Sequence, residues 1–374
     1  MVAPHTLLAA LGRALAGSGA LLLTACAANV PAHQARNKGE ASTTVEVPTH
    51  RHAPGLLVSR NHLLLPSGQP FLGRGVNLHD TRSCNSCVTR AADPGGLKRW
   101  TDELCSDWNV TFVRFLLSSW ASDDGYRVQY RRLVDDPAYA ADVRDVVTHL
   151  TDKGVYVLVT LFADPSMLPE GPHPESEWPT AETLPVYRLL AEMFHGDPRV
   201  LFGLGNEPHG PPERNEELAG RYLSAIEVIR EVERRRGAPP HVVVVPAPQG
   251  YARDVSYFVQ RPLPGEQIAY EVHPYNHASE FDRLITQPAR TLPLIIGEYG
   301  PTAEMTQGDV EALWLLADRL QLPHLAWNFH ARCGPTMIEE DAGDVCGLGR
   351  DPQRPFVRTA WGHQVWTYLR GAGR

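Results

Sequence analysis

Residues 200–246 read VLFGLGNEPHGPPERNEELAGRYLSAIEVIREVERRRGAPPHVVVVP, and this stretch decides the fold. Short, mostly apolar runs stand at its two ends, 200–205 and 241–246, and residues 215–236 between them have the mixed pattern of an amphipathic helix. A continuous apolar run is typical of a strand that is buried on both faces, as strands of parallel sheets are. We therefore interpret the stretch as a strand, a helix and a second, parallel strand.

The same alternation repeats along most of the chain. Eight runs are candidate strands, at 71–77, 110–116, 155–161, 200–205, 241–246, 267–272, 293–299 and 323–328. Amphipathic segments lie between most of them, at 97–107, 138–153, 183–194, 215–236, 309–320 and 357–369. Eight such units predict an α/β fold, a closed (β/α)8 TIM barrel.

A short hairpin precedes the predicted barrel. Residues 57–59 and 63–65 are apolar, and Arg60-Asn61-His62 separates them. We expect this N-terminal β-hairpin to cap the barrel's N-terminal end. The alternative fold, a doubly wound open sheet, would need a glycine-rich phosphate turn after an early strand, and the sequence has none there.

Composition and charge narrow the classes of partner. Of the 374 residues, 43% are hydrophobic and 21% are charged, as in a soluble globular protein. The net charge is −8 and no basic block occurs, which disfavours nucleic acid and an anionic membrane surface. We expect a neutral substrate, no cofactor and a monomer.

The first 54 residues read as a leader and a tether. Residues 1–25 have a short apolar segment that is typical of a secretory signal, and the sequence Leu23-Thr24-Ala25-Cys26 resembles a bacterial lipobox with Cys26 as the lipid anchor. The alternative is an ordinary signal peptide cut near Ala25 or Ala27. Residues 26–54 are polar and without periodicity, which predicts a flexible tether, and 55–374 then form the catalytic domain. We expect an exported protein, anchored to the cell envelope by lipid or secreted.

Export favours disulfides over thiol chemistry. Cys333 and Cys346 flank a loop rich in glycine and aspartate, so we predict a bridge between them, worth about 3 kcal/mol. Cys84 and Cys87 resemble half of a zinc or redox motif, but no second half follows. We favour a bond from one of them to Cys105.

Polar residues collect where the candidate strands end. The first candidate strand ends in Asn77-Leu78-His79-Asp80, the second contains Arg114, and the fourth ends in Asn206-Glu207-Pro208-His209. The sixth ends in His273-Pro274-Tyr275, the seventh in Gly297-Glu298-Tyr299-Gly300 and the eighth in Trp327-Asn328. Barrel chemistry lies at the C-terminal strand ends, and a carboxylate there would be costly in a sealed core. We expect Glu207 and Glu298 to face each other across the barrel mouth.

These residues, in this order, resemble the signature of glycoside hydrolase family 5, the cellulase-like group of retaining glycosidases. The resemblance rests on Arg114, Asn206-Glu207-Pro208, His273-x-Tyr275, Glu298 and Trp327, and it extends from about residue 57 to the C-terminus. It implies hydrolysis of a β-glycosidic bond in a polysaccharide or oligosaccharide, with Glu207 as acid/base and Glu298 as nucleophile.

The resemblance also implies parts for the neighbouring residues. A retaining mechanism needs carboxyl groups roughly 5 to 5.5 Å apart, a protonated acid and an ionised nucleophile. Arg114 is expected to lower the pKa of Glu298 and Tyr275 to donate a hydrogen bond to it, while His273 lies near Glu207. The expected sugar contacts are Asn206 to the 2-hydroxyl, Trp327 as the floor of the subsite, and the loop residues His79, Asp80 and His209.

Two departures from the family pattern leave the sugar open. Many members have a histidine after the third strand, where this chain has Leu161-Phe162-Ala163-Asp164, and Tyr251 stands where a tryptophan is often found. Endo or exo action and hydrolysis or transglycosylation also stay open. Other functions that we weighed are a carbohydrate-binding lipoprotein without catalysis and a metal-dependent hydrolase, for which His79, Asp80 and His273 are a poor ligand set.

The lipobox gives a first testable prediction. Replacing Cys26→Ser removes the thiol that would carry the lipid, so we expect the protein to move from the membrane fraction to the soluble fraction with its activity unchanged. Fractionation of cells that express each form measures this. Equal distribution of the two forms would favour the ordinary signal peptide.

Overall fold

The computed structural model describes residues 55–81, 94–119, 133–163, 177–208, 210–339 and 356–371. The predicted signal, the predicted lipid anchor at Cys26 and the predicted tether lie outside these residues, and so do Cys84, Cys87, His209 and Cys346. Within the described residues, no helix is both long enough and apolar enough to cross a bilayer.

Eight parallel strands close into a barrel, which confirms the predicted fold. The strands, with the two of the hairpin first, are β1 Leu57–Ser59, β2 His62–Leu64, β3 Arg74–Leu78, β4 Phe112–Ser119, β5 Tyr156–Ala163, β6 Val200–Gly203, β7 Val243–Pro246, β8 Ile268–Val272, β9 Leu294–Ile296 and β10 His324–Ala326. β3 to β9 follow one another around the barrel, and β10 closes it by pairing with both β9 and β3.

Helices connect most of the strands. They are α1 Pro94–Ser106, α2 Pro137–Asp152, α3 Leu184–Phe194, α4 Asn215–Arg236, α5 Ser256–Gln260, α6 Gln307–Leu320 and α7 Ala360–Gly371. The long helix α4 has the predicted bounds: acidic residues occupy its first turn, arginines its last turn, and Gly237 ends it at φ 63°, which suits the helix dipole and a left-handed cap. Between β8 and β9 the chain forms two short 3₁₀ turns and a π-helical turn.

The barrel interior is apolar at its N-terminal end. The residues that form this layer point inward from seven strands: Phe112, Leu158, Leu201, Val244, Ala269, Ile295 and Leu325. Leu56, Leu63 and Phe71, from the hairpin and the segments beside it, pack onto the layer. The Phe71 ring meets Phe112, the first residue of β4, edge to face with centroids 5.3 Å apart. The predicted hairpin cap is therefore present.

The next inward position on each strand lies closer to the C-terminal end, because side chains of a strand alternate between its two faces. On β4 this position is Arg114, and on β8 it is Glu271, and both are fully buried. The polar centre of the molecule thus rests directly on the apolar layer.

Two cysteines on described segments can be compared with the predicted pairings. Cys105 in α1 is a free thiol, so our interpretation that it bonds to Cys84 or Cys87 is wrong. Burial raises the pKa of this thiol to about 11. Cys333 takes part in a disulfide bond, but its pairing with Cys346 stays a prediction.

Candidate active site

Arg114 is the centre of the polar cluster. Its Nη1 donates to Oε1 of Glu298 at 2.7 Å and to Oδ1 of Asn77 at 3.0 Å, and its Nη2 donates to Oδ1 of Asn206 at 2.8 Å. Its Nε lies 2.7 Å from Oε1 of Glu271. A planar guanidinium with five donors can join strands in this way, and a lysine could not. Arg114 therefore fixes side chains from β3 and β8 and from the loops that follow β6 and β9.

The two glutamates that the sequence singled out lie together. One oxygen of Glu207, one of Glu298 and a ring nitrogen of His273 are all within 4.8 Å of one another. The Glu207 side chain is 23% exposed and that of Glu298 is 6% exposed. Tyr275 donates its hydroxyl hydrogen to Oε2 of Glu298 at 3.2 Å. The pair thus consists of one carboxylate open to the cleft and one that is nearly enclosed.

Burial dominates the electrostatics of Glu298. Burial raises the pKa of this carboxyl, His273 and Arg114 lower it, Glu207 and Glu271 raise it, and the net result lies above the usual value. Arg114 acts in the predicted direction. The net pKa is raised all the same, because burial and two neighbouring carboxylates outweigh the two cations.

His273 lies between two carboxylates. Its Nδ1 is 3.0 Å from Oε1 of Glu207, and its Nε2 is 2.9 Å from Oε1 of Glu271. Burial alone would lower the pKa of His273, but Glu298, Glu207 and Glu271 raise it to about 10. The carboxylates at its two nitrogens therefore favour the protonated ring.

Trp327 forms an aromatic surface beside the carboxylates. Its ring stacks on Phe162 with centroids 6.0 Å apart and planes 20° from parallel, and Leu116 and Tyr275 complete the apolar cluster. The indole Nε1 donates to the carbonyl of Cys333 at 2.8 Å. That bond fixes the ring by its edge.

The predicted loop contacts fare differently. Asp80 is fully buried, and its carboxylate accepts hydrogen bonds from the Tyr139 hydroxyl and the Thr81 backbone N–H. These bonds favour a structural role, so we do not retain Asp80 as a sugar contact. His79 is 4% exposed and meets the ring of His330 edge to face. His209 lies outside the described residues.

Two residues of the cluster were missed by the sequence analysis. Glu271 interrupts the apolar strand β8, Ile-Ala-Tyr-Glu-Val, and this interruption was the available signal. Asn77 ends the predicted first strand, but only the two polar residues after it were taken as contacts. Its amide also donates to the carbonyls of Gly297 and Ala326, which ties β3 to β9 and β10.

The raised pKa of Glu298 predicts how stability changes with pH. The folded protein holds this proton more tightly than the unfolded chain, so the contribution of the group to stability falls as pH rises through the folded pKa. Glu298→Gln removes that cost. We expect the free energy of unfolding at pH 7 to increase by about 0.5–2 kcal/mol, and the gain to vanish below about pH 4. Urea unfolding at several pH values measures both.

Glu233→Gln is the matched control, because Glu233 is also a buried glutamate beside a histidine and an arginine. Burial would raise its pKa, but His241 and Arg230 hold it below the usual value. Its carboxylate therefore stabilises the fold at neutral pH and loses that effect as pH falls. We expect a loss of about 1–3 kcal/mol at pH 7 for this variant. Equal losses in both variants would contradict the assignment for Glu298.

Comparison with known proteins agrees with this geometry. Residues 66–332 match the family model for cellulase, glycosyl hydrolase family 5. Endoglucanase MaCel5A of a Microbulbifer species is 27% identical over 305 residues, which are 75% of this chain and 52% of that protein. The chain thus spans about half the length of the curated relatives it matches.

Solved structures share the fold. The β-glucanase SdGluc5_26A of Saccharophagus degradans superposes with a TM-score of 0.65 at 20% identity, covering 86% of this chain and 94% of that one. The catalytic domain of a mannanase from Streptomyces sp. SirexAA-E superposes with a TM-score of 0.60 at 21% identity, covering 89% of this chain and 95% of that one. Because the family model covers well over half of the 374 residues, the chain belongs to glycosyl hydrolase family 5.

Proposed function

We propose that the protein is a retaining glycoside hydrolase that cleaves β-glycosidic bonds of a polysaccharide, with Glu298 as nucleophile and Glu207 as acid/base. The observation that carries the proposal is the pair of carboxylates whose oxygens lie within 4.8 Å of each other. Carboxylates this close support the retaining arrangement, in which the carboxyl groups are about 5 to 5.5 Å apart, over the inverting one, which needs about 6.5 to 9.5 Å to admit a water.

In the first step, an oxygen of Glu298 attacks the anomeric carbon and the bond to the leaving sugar breaks. Glu207 gives its proton to the leaving oxygen, and a covalent glycosyl ester forms on Glu298. Arg114 and Tyr275 both contact Glu298, which favours its anion. Burial removes water from around that anion, so the carboxylate does not have to lose a hydration shell before it attacks.

In the second step, Glu207 takes a proton from a water molecule. The water oxygen attacks the anomeric carbon, the ester bond to Glu298 breaks, and the sugar leaves with its original configuration. The exposure of Glu207 supports this part, because a group that serves a leaving sugar and then a water has to face the cleft. The protons balance over the two steps, since Glu207 gives one to the leaving sugar and takes one from the water.

Neighbouring groups support sugar binding. Oδ1 of Asn206 accepts from Arg114, so the amide NH₂ is the end that remains to meet a sugar 2-hydroxyl. That contact strengthens as the transition state develops. Trp327 offers an apolar face for a pyranose ring, and Phe162 extends it.

The substrate class is proposed from the relatives. Their names include an endoglucanase, a β-glucanase and a mannanase, so we propose β-glucan first and β-mannan second. We also propose export and lipid anchoring at Cys26, which rest on the leader sequence alone.

A polysaccharide panel tests the activity. We expect new reducing ends from at least one of carboxymethylcellulose, mixed-linkage β-glucan, glucomannan or a bacterial exopolysaccharide, because both carboxylates face the same cleft. Glu298→Gln serves as the blank, since it removes the nucleophile and keeps the shape. Binding of a glycan by the wild type without any release of ends would favour the carbohydrate-binding alternative.

Kinetics separate the two glutamates. Glu207→Ala should slow substrates with poor leaving groups by about 10²- to 10⁴-fold, while an activated aryl glycoside, which needs little protonation, still forms the glycosyl-enzyme. Glu298→Ala should abolish turnover of both kinds of substrate, and azide should restore part of it with inverted configuration. A uniform loss across the leaving-group series for Glu207→Ala, with the first step rate-limiting throughout, would reverse the roles.

A further inference from the structure

Glu271 is a buried carboxylate that the mechanism above does not use. It points into the barrel from β8, beneath the reacting groups, and its side chain is 0% exposed. One of its oxygens, Oε1, contacts both Nε of Arg114 at 2.7 Å and Nε2 of His273 at 2.9 Å. An isolated carboxylate would be costly at this depth, so its two cationic partners hold it there.

The neighbouring strand, β9, leaves room for this carboxylate. Gly297, at the end of β9, faces Glu271, and a Cβ at this position would lie 1.8 Å from its Oε1. Any side chain at 297 would push the carboxylate away from its partners. The glycine before the nucleophile is thus matched to the glutamate on the neighbouring strand.

His273 connects Glu271 to the acid/base, because its two ring nitrogens contact Glu271 and Glu207. Charged groups reach the ring from three other elements: Glu207 after β6 at 3.0 Å, Glu298 after β9 at 3.7 Å, and Arg114 of β4 through the carboxylates that it binds. With a carboxyl group at each nitrogen, a doubly protonated ring can donate to both of them. A neutral ring that donated only through Nε2 would present a bare Nδ1 to Glu207, and would draw the acid's proton to the oxygen that faces away from the substrate.

We propose that Glu271 is a positioning residue that keeps both ring nitrogens of His273 protonated, so that His273 occupies one oxygen of Glu207 and the other oxygen carries the catalytic proton. This inference rests on the proposed function. Glu271 touches no reacting atom and acts through His273.

The test compares the pH dependence of kcat/KM in wild type, Glu271→Gln and Glu271→Asp. Gln keeps the shape and removes the charge, so we expect a loss of about 10- to 100-fold near pH 8 with a poor leaving group, and a smaller loss near pH 5, where His273 is protonated without help. The loss should shrink for an activated aryl glycoside. Asp keeps the charge and should follow the pH dependence of the wild type.

The protonation of His273 is read directly by ¹⁵N NMR of the imidazole. We expect an imidazolium up to about pH 9 in the wild type, in line with a pKa of about 10, and titration at lower pH in Glu271→Gln. Glu233→Gln is the control, because Glu233 is also a buried glutamate that contacts a histidine and an arginine. It should leave the pH profile of kcat/KM unchanged even where it lowers the melting temperature.

Three results would overturn the inference: a neutral His273 in the wild type at pH 8, an unchanged His273 titration in Glu271→Gln, or a loss of activity in that variant that is equal at all pH values. The NMR measurement on the wild type can still overturn the inference if Glu271→Gln does not fold. Inactivity of the wild type on every glycan would refute the proposed function, and the His273 titrations would still test the role of Glu271 separately.

Discussion

The buried guanidinium of Arg114 is the interaction on which the site depends. It contacts Asn77, Asn206, Glu271 and Glu298, which come from four different places around the barrel. Each of these contacts holds one group in place, and together they offset the cost of removing two carboxylates from water. Without the guanidinium, Glu271 and Glu298 would be buried with one cation, His273, between them.

The charge balance explains why the cluster is poised for proton transfer. Three carboxylates, Glu207, Glu271 and Glu298, face two cations, Arg114 and His273, so the fully ionised site carries one excess negative charge. One added proton neutralises it. The excess charge therefore favours uptake of one proton by the cluster, in line with the raised pKa of Glu298. A general acid, as in the proposed function, needs such a proton near neutral pH.

Much of the fold could be predicted because burial leaves a direct mark on the sequence. The run Val242-Val243-Val244-Val245 predicts a strand buried on both faces, and Asn206-Glu207 after an apolar strand predicts an open site. Properties that depend on three-dimensional surroundings could not be predicted. Asp80 looks like a contact residue until Tyr139 is seen to occupy its carboxylate, and the pKa of Glu298 follows from how deeply it is enclosed. Glu271 was missed because the sequence shows only that an acidic residue interrupts a strand, and not which partners on β4 and beyond β8 hold it there.

The hairpin at the N-terminal end determines how a substrate can enter the barrel and how a product can leave it. Leu56, Leu63 and Phe71 close that end over the apolar layer, so the described barrel is open only at its C-terminal end. No molecule can pass along the axis, so under the proposed function each fragment has to leave by the opening through which the substrate arrived. Release of one fragment therefore competes with arrival of the next for the same opening, and the shape of the rim governs how soon the site is vacant again.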